Sequence, residues 1–89
     1  MAVYKEKYNK TLLLYSTSGC HLCEQAKSLI DAANLKHQFT LEVIDIANDD
    51  ELFKKYAIRI PVIRFEHSLH ELSWPFDLDE LDLFVLRMF

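Results

Sequence analysis

Two cysteines separated by two residues are the part of this sequence best suited to carry chemistry. Cys20 and Cys23 form the motif Cys-His-Leu-Cys, and the 89 residues contain no other cysteine. A disulfide between them would close a loop of about four residues, which contributes roughly 2 kcal/mol of stability, whereas a loop of about 100 residues contributes roughly 4.7 kcal/mol. The pair is therefore a poor structural cross-link, and its spacing indicates redox chemistry, half of a metal site or an incidental pair.

The residues around the cysteines predict a strand, a loop and a helix. Residues 11–15 are an apolar run bounded by polar residues, which indicates a buried strand, and residues 16–19 are small and typical of a loop. The apolar spacing that follows predicts a helix over residues 21–33 that ends at Asn34. The apolar positions of this helix are Leu22, Ala26, Leu29, Ile30 and Ala33. We expect Tyr15 of the strand to pack near the helix.

This arrangement places Cys20 in the first turn of the helix, where free backbone N–H groups and the positive end of the helix dipole favour a thiolate. A thiol with an ordinary pKa near 8.5 is about 3% ionised at pH 7, and one with a pKa of about 7 would be half ionised. Cys23 lies one turn deeper, where it could resolve a mixed disulfide formed at Cys20. His21 adds a cation beside Cys20, and Glu24 would oppose it.

The middle of the chain predicts a second strand and a second helix. Residues 39–46 alternate apolar and polar side chains as a strand does. The polar and acidic residues 48–51 then supply a cap and negative charge, which favour the start of a short helix. We expect this helix to bury Leu52, Phe53 and Tyr56.

The last third of the chain predicts a hairpin and a final helix. Pro61 begins a strand over residues 62–65, and the segment from Leu69 to Leu72 returns beside it across a loop at residues 66–68. The final helix has a capping box, Asp77 with Glu80, and an apolar face formed by Leu78, Leu81, Val85 and Met88. The order β-α-β-α-β-β-α predicts an α/β fold with a four-stranded mixed sheet and flanking helices.

Composition and charge argue against several classes of protein. Apolar residues make up 51% and charged residues 27%, which excludes a disordered chain. No run approaches the roughly 20 apolar residues of a membrane span, and residues 1–10, which we expect to form a short polar arm, do not lead into a signal peptide. We therefore expect one domain over residues 11–89, monomeric and in the reducing cytoplasm. The net charge of −4 and the scattered basic residues argue against nucleic-acid binding.

Three segments of the chain together resemble the glutaredoxins, within the thioredoxin fold. They are Leu13-Leu14-Tyr15-Ser16, Cys20-His-Leu-Cys23 and Tyr56-Ala-Ile-Arg-Ile60-Pro61-Val62. The resemblance covers residues 11–88 and is closest to a group of short bacterial glutaredoxin-like proteins. It implies a thioredoxin/glutaredoxin-like fold in which Pro61 follows a cis peptide bond and lies against the two sulfurs. It also implies that the backbone of Ile60 binds an incoming peptide or glutathione.

Two departures from the glutaredoxin pattern bear on glutathione. Thr17 stands where glutathione-binding members usually carry a lysine, and the single glycine, Gly19, cannot supply the Gly-Gly pair that precedes their last helix. In place of that pair is Leu72-Ser-Trp74-Pro-Phe76-Asp77, which resembles glutaredoxin-like proteins that serve ribonucleotide reductase and are reduced by thioredoxin reductase. The resemblance therefore implies a thiol–disulfide redox protein but does not specify whether glutathione or thioredoxin reductase is its electron donor.

The residues and the resemblance together predict a thiol–disulfide oxidoreductase. Cys20 is the predicted nucleophile, Cys23 the resolving cysteine and His21 a modulator of the Cys20 pKa. The predicted substrates are protein disulfides and glutathione mixed disulfides; no bound cofactor is expected, and glutathione would be a co-substrate. The residues expected to contact the substrate are Thr17, Arg59, Ile60, Pro61 and Trp74. Arg59 could instead form an exposed ion pair with the acids at residues 49–51.

Two further interpretations of the motif stay open from the sequence. The dithiol could be vestigial or sensory in a non-catalytic binding module of the same fold. It could also bind zinc together with His67 and His70, although zinc sites usually place their second pair of ligands much closer in sequence. Trp74 and Phe76 could either line a binding groove or fill the junction between helix and sheet.

Overall fold

The computed structural model describes residues 10–88, so the predicted arm at residues 1–10 lies outside the described residues except for Lys10. The strands are β1 (Thr11–Ser16), β2 (Thr40–Asp45), β3 (Val62–Phe65) and β4 (Glu71–Ser73). The helices are α1 (His21–His37), α2 (Asp50–Tyr56) and α3 (Leu78–Leu86), and a single 3-10 turn, Ile46–Asn48, precedes α2. The predicted order of elements is confirmed.

The four strands form one mixed sheet in the order β2-β1-β3-β4. β1 pairs in parallel with β2 and antiparallel with β3, and β3 pairs antiparallel with β4. The parallel pair is connected by α1, since two parallel strands need a crossover rather than a tight turn. The α/β prediction with a four-stranded mixed sheet and flanking helices is confirmed, and β1 lies inside the sheet.

Helices cover the two faces of the sheet unequally. On one face α1 and α3 pack over Leu12 and Leu14 of β1 in the larger apolar cluster. On the other face α2 covers a smaller cluster that includes Leu13 and Tyr15. The expectation that Tyr15 packs near the first helix is wrong, because side chains alternate along a strand and Tyr15 therefore points to the α2 face.

The end of α1 lies beyond the predicted stop at Asn34. The helix continues to His37, and Gln38 ends it in a left-handed conformation with φ of 57°. The Gln38 N–H donates to the Asn34 carbonyl at 2.9 Å, and the Asn34 side-chain oxygen accepts from the Phe39 N–H at 2.7 Å. Asn34 thus closes the helix from within its last turn, which satisfies backbone groups that the helix end exposes.

In the other two helices the predicted caps are confirmed, whereas the predicted buried residues are only partly correct. Asp49 caps α2, and Asp77 with Glu80 forms the capping box of α3. Tyr56 and Leu52, four residues apart, face the sheet, whereas Phe53 is 52% exposed, so its predicted burial is wrong. The prediction for the final helix is wrong at one position, since Leu81 and Val85 are buried and Met88 is partly buried, but Leu78 is 38% exposed.

The hairpin of β3 and β4 has a longer connection than the sequence indicated. Leu69 is exposed in the loop, and β4 begins only at Glu71, which pairs with Arg64. Leu72 faces the larger apolar cluster. Within residues 10–88 no helix is long and apolar enough to cross a membrane.

Candidate active site

Cys20 and Cys23 are joined by a disulfide at the amino-terminal end of α1, with their Cα atoms 5.2 Å apart. Cys20 is the N-cap of the helix and has an extended backbone. Its Sγ accepts a hydrogen bond from the Cys23 N–H at 3.2 Å. An N-terminal N–H directed at a sulfur, together with the positive end of the helix dipole, favours the thiolate once the disulfide is reduced.

The loop before Cys20 has the geometry that delivers the sulfur to the helix end. Gly19 has a φ of +78°, which residues with a side chain rarely adopt, although a Cβ there would meet no atom within 4 Å. The Cys20 N–H donates to the Thr17 carbonyl at 3.3 Å, which closes the turn. Gly19 is therefore needed for its backbone conformation rather than for space.

The two sulfurs differ in their access to solvent. Cys20 is half-buried, whereas Cys23 is only 3% exposed. A cleft of about 160 Å³ reaches both, and Leu14 and Val43 form part of its wall. An incoming disulfide can therefore meet Cys20 first, and Cys23 can react only through this cleft or through Cys20.

Two of the residues that line the cleft, Lys27 and Val43, were not singled out by the sequence analysis. Glu24 and Lys27 of α1 line it beside the cysteines, as does Val43 of β2, which lies opposite Leu14 in the parallel register. Thr17, predicted to contact the substrate, is also in its wall. The one available signal was spacing, because Lys27 follows Cys23 by four residues and so shares its helix face.

Ile60 and Pro61 lie at the neighbouring end of the sheet. The Ile60–Pro61 peptide bond is cis, as the resemblance implied, and Pro61 is buried. Because Tyr15 pairs with Val62 in the antiparallel register, Pro61 falls beside Ser16, where β1 leads into the cysteine loop. The Ile60 N–H donates to the Tyr56 carbonyl at 3.0 Å. Its carbonyl oxygen accepts no hydrogen bond from residues 10–88.

Trp74 is tied to the same segment. Its N–H donates to the Pro61 carbonyl at 3.0 Å, and its ring meets Phe76 edge-to-face with centroids 5.1 Å apart. Phe76 is only 4% exposed, so it fills the junction of helix and sheet rather than lining a groove. Trp74 packs on the same cluster but stays half-buried, and the Trp74–Pro75 bond is a second cis bond that the sequence analysis missed.

Arg59 is held by the outer strand of the sheet. Its Nη2 donates to Glu71 Oε1 at 2.6 Å and to Ser73 Oγ at 3.3 Å. The alternative pairing with the acids at residues 49–51 is therefore wrong, because the chain before Pro61 turns Arg59 toward β4. The guanidinium also lies 5.3 Å from the Tyr56 ring centroid, and the side chain remains 38% exposed.

A polar network links Arg59 to the sheet face under α2. The Tyr56 hydroxyl donates to Glu71 at 2.5 Å, and the Tyr56 ring stacks on Tyr15 with centroids 4.2 Å apart. Arg64 Nη2 donates to the Tyr15 hydroxyl at 2.9 Å. The sequence analysis predicted neither the stacking of Tyr15 on Tyr56 nor the hydrogen bonds with Arg64 and Glu71, because these contacts join residues far apart in the chain.

The network shifts the pKa values of three of its members, and the hydrogen bond to Tyr15 raises that of Arg64. Burial raises the pKa of the Tyr56 phenol, and the hydrogen bond to Glu71 raises it further, so its pKa is well above the ordinary value. Burial alone would raise the pKa of Glu71 as well. The hydrogen bonds from Tyr56 and Arg59 and the charge of Arg59 outweigh that burial, and the pKa of Glu71 lies below its ordinary value.

The histidines of the sequence analysis are dispersed. His21, adjacent to Cys20, is exposed, and His67 and His70 are exposed in the connection between β3 and β4. Among residues 10–88 no three side chains of metal-ligating type come together.

Comparison with known proteins agrees with this geometry. Residues 11–85 match the family described as Glutaredoxin-like domain (DUF836). Protein XcR50 from X. campestris is 33% identical with a TM-score of 0.75, and the match covers 85% of this chain and 96% of that chain. Protein Ne2328 from Nitrosomonas europaea is 31% identical with a TM-score of 0.74, covering 85% and 91%. Both solved structures are similar to this chain over almost their whole lengths.

More distant similarity concerns the fold alone. A mutant thioredoxin from Halobacterium salinarum is 17% identical with a TM-score of 0.68, and the match covers 90% of this chain and 74% of that chain. No curated protein is significantly similar to the chain. With a thioredoxin-like fold, a Cys20–Cys23 disulfide and a family match over most of its length, the chain belongs to the glutaredoxin-like (DUF836) family.

Proposed function

We propose that the protein is a thiol–disulfide oxidoreductase that reduces protein disulfides or glutathione mixed disulfides. The observation that carries the proposal is the position of Cys20, whose half-buried sulfur caps α1 and accepts the Cys23 N–H at 3.2 Å. The unequal burial of the two sulfurs supports unequal roles, with Cys20 as nucleophile and Cys23 as resolving cysteine.

The proposed reaction begins with the dithiol form. The Cys20 thiolate attacks one sulfur of a substrate disulfide, a Cys20–substrate bond forms, the substrate S–S bond breaks, and the departing thiolate takes up a proton. Cys23 then loses its proton and attacks Cys20 Sγ, and the second substrate sulfur leaves and is protonated. The substrate gains two electrons and two protons, and the protein is left with the Cys20–Cys23 disulfide.

Several residues near the sulfurs support substrate binding in this proposal. The Ile60 carbonyl, which accepts no hydrogen bond within residues 10–88, is proposed to offer a backbone contact beside the buried Pro61. Thr17 lines the cleft at the cysteines. Arg59, which precedes Ile60 and donates to Glu71, is proposed to contact an anionic group of the substrate. Trp74, whose N–H donates to the Pro61 carbonyl, is proposed to contact an apolar group. His21 is proposed to favour the Cys20 thiolate when protonated.

The proposed donor is a thiol or a reductase rather than a bound cofactor. Glutathione as co-substrate and thioredoxin reductase are the two candidates, and a reducing compartment such as the cytoplasm suits the reductive direction. A matched pair of assays separates the donors: reduction of a disulfide substrate with glutathione plus glutathione reductase, and the same substrate with thioredoxin reductase.

The proposal predicts turnover in at least one donor system and its loss in Cys20→Ser. Cys23→Ser should retain the first step and accumulate a mixed disulfide with substrate, which intact-protein mass spectrometry detects. If the wild type turns over with neither donor, the protein is instead a non-catalytic binding or redox-sensing module.

A further inference from the structure

The cleft at the disulfide is short of groups that could stabilise a charged Cys23. Cys23 is 3% exposed and shares the cleft wall with Leu14, which is 1% exposed, and the polar and charged side chains of this wall are all partly or fully exposed. A thiolate in apolar surroundings is disfavoured because burial penalises the charged form. A positive charge within reach of the cleft would therefore favour the resolving role of Cys23 beyond what the helix dipole supplies.

Lys27 meets this requirement by its place on α1. It lies four residues after Cys23, so the two side chains share one face of the helix, and both line the cleft. Side chains on a helix lean toward its amino terminus, so the flexible Lys27 side chain can reach back over the turn that holds Cys23. Its long apolar stem can follow the cleft wall while its ammonium stays in water.

The other charges around the cleft do not duplicate Lys27. Glu24 of α1 also lines the cleft, but it follows Cys20 by four residues and carries the opposite charge. Asp45 of β2 lies in an adjoining cleft of about 210 Å³, and His21 is exposed next to Cys20. The end of β1 and the loop after it contribute the hydroxyl side chains of Ser16, Thr17 and Ser18 to the wall, and none of these carries a charge.

The present contact of Lys27 is weak enough to be exchanged. Its Nζ lies 3.5 Å from Asp31, and the two side chains are 52% and 60% exposed. Exposed ion pairs of this kind contribute about 0–1 kcal/mol. While the cysteines form a disulfide, the cleft holds no thiolate that could compete with Asp31 for the Lys27 ammonium.

We propose that Lys27 stabilises the thiolate of Cys23 after reduction and so promotes the resolving step. The consequence for catalysis rests on the proposed function, whereas the effect on Cys23 does not. In the step itself the Cys23 thiol gives its proton to solvent, its sulfur bonds to Cys20 Sγ, and the Cys20–substrate bond breaks. The departing substrate thiolate takes up a proton from solvent, and Lys27 keeps its own proton throughout, acting by charge alone.

The direct test is a thiolate titration by ultraviolet absorbance in a Cys20→Ser background, which leaves Cys23 as the only cysteine. Serine is a good N-cap, so α1 should keep its start. Adding Lys27→Ala should raise the titration midpoint of Cys23 by about one pH unit. Lys27→Arg, which retains the charge, should stay close to the parent.

Asp31→Asn is the matched control, because it removes the same ion pair as Lys27→Ala. If Lys27 acts on Cys23, Asp31→Asn leaves the midpoint unchanged or lowers it, since Lys27 is freed. If both variants raise the midpoint equally, or if Lys27→Ala does not move it, the proposal is wrong. In a Cys23→Ser background, Lys27→Ala should move the titration midpoint of Cys20 less than it moves that of Cys23. An equal shift of the two midpoints would overturn the assignment to Cys23.

A kinetic measurement tests the catalytic consequence separately. A midpoint raised by about one unit lowers the thiolate fraction about tenfold, but a more basic thiolate is a better nucleophile, so the resolving step should slow about threefold. Single-turnover release of a mixed-disulfide substrate measures that rate. Because the titration needs no substrate, an inactive protein with a Lys27-dependent midpoint would count against the proposed function and not against the role of Lys27.

Discussion

The two faces of the sheet are stabilised by different chemistry. The face under α1 and α3 has an apolar core, and beside that core Asp82 of α3 accepts from Lys36 at 3.4 Å and lies 3.1 Å from His37, both in the last turn of α1. The buried members of the core are Leu12, Leu14, Ala26, Ile30, Ala33, Phe39, Ile63, Phe65, Phe76, Leu81 and Val85. The face under α2 has a smaller apolar cluster, and a stacked pair of tyrosines there continues into hydrogen bonds with Arg64, Glu71 and Arg59.

Each face positions a different part of the candidate site. The apolar face anchors α1 and with it the disulfide, because Ala26 and Ile30 hold the helix on the sheet. The network face anchors the chain before Pro61, since the Tyr56 carbonyl accepts the N–H groups of Arg59 and Ile60. Apolar burial depends on neither direction nor pH, whereas hydrogen bonds to ionised groups depend on both. The hydrogen bonds that hold the segment proposed to bind substrate should therefore respond to pH, whereas the packing that holds α1 on the sheet should not.

The largest expected effect is a substitution in the apolar face. Ile30 is fully buried between α1 and the sheet, so Ile30→Ala should lower the free energy of unfolding by about 2–5 kcal/mol through lost burial and an unfilled cavity. Urea denaturation followed by circular dichroism measures this. The loss should be the same at pH 5 and pH 8; a loss that changes between them would contradict the division of the two faces.

The second effect concerns the hydroxyl that joins the tyrosine stack to the network. Tyr56→Phe keeps the ring on Tyr15 but removes the donor to Glu71, and we expect a loss of about 1–2 kcal/mol in the same measurement. Tyr56→Leu, which removes the stack as well, should lose more than Tyr56→Phe. If the two variants lose the same free energy of unfolding, the ring contact contributes nothing to stability and only the hydroxyl does.

The third effect is the pH dependence of the network. The pKa of Glu71 is lowered in the folded protein, so its ionised form stabilises the fold above the pKa of the unfolded chain, about 4.3, and this contribution disappears as the pH falls through the lower folded pKa. At neutral pH the free energy of unfolding of the wild type should exceed that of Glu71→Gln by about 1 kcal/mol, and this difference should shrink in acid. A difference that persists unchanged at low pH would exclude ionised Glu71 as its source.

The order of the elements was predictable because each element carries its own local signal. The helical spacing after Cys20, the capping box of Asp77 with Glu80, and Pro61 before a short apolar strand each act within a few residues. The redox pair was predictable for the same reason, since its spacing and its place before a helix are both local.

The errors fell where distant parts of the chain decide the outcome. β1 is buried on both faces, so alternation could not show that Tyr15 points away from α1. Phe53 is as apolar as its neighbours, but a helix of two turns covers the sheet with Leu52 and Tyr56 only. Arg59 bonds to Glu71, twelve residues away, through a strand pairing that no local pattern specifies.

The smallest expected effect tests whether the network face reaches the substrate. Arg59→Lys keeps the charge but cannot bridge Glu71 and Ser73 with one planar group, and the exposed position limits the stability loss to about 1 kcal/mol. If this bridge orients the chain before Ile60, the KM for a disulfide substrate should rise about two- to fivefold while kcat stays the same.

Arg64→Lys is the matched control for Arg59→Lys, since it makes the same change at the far end of the network. Arg64 donates to Tyr15 and to the Ser68 carbonyl and has no bond to the segment before Pro61. Arg64→Lys should lower the free energy of unfolding about as much as Arg59→Lys does and leave the KM unchanged. Equal changes in KM would mean that the network acts through general loosening of the sheet face. A KM change confined to Arg59 would mean that the network positions substrate through this one side chain, because the two arginines differ chiefly in their neighbours.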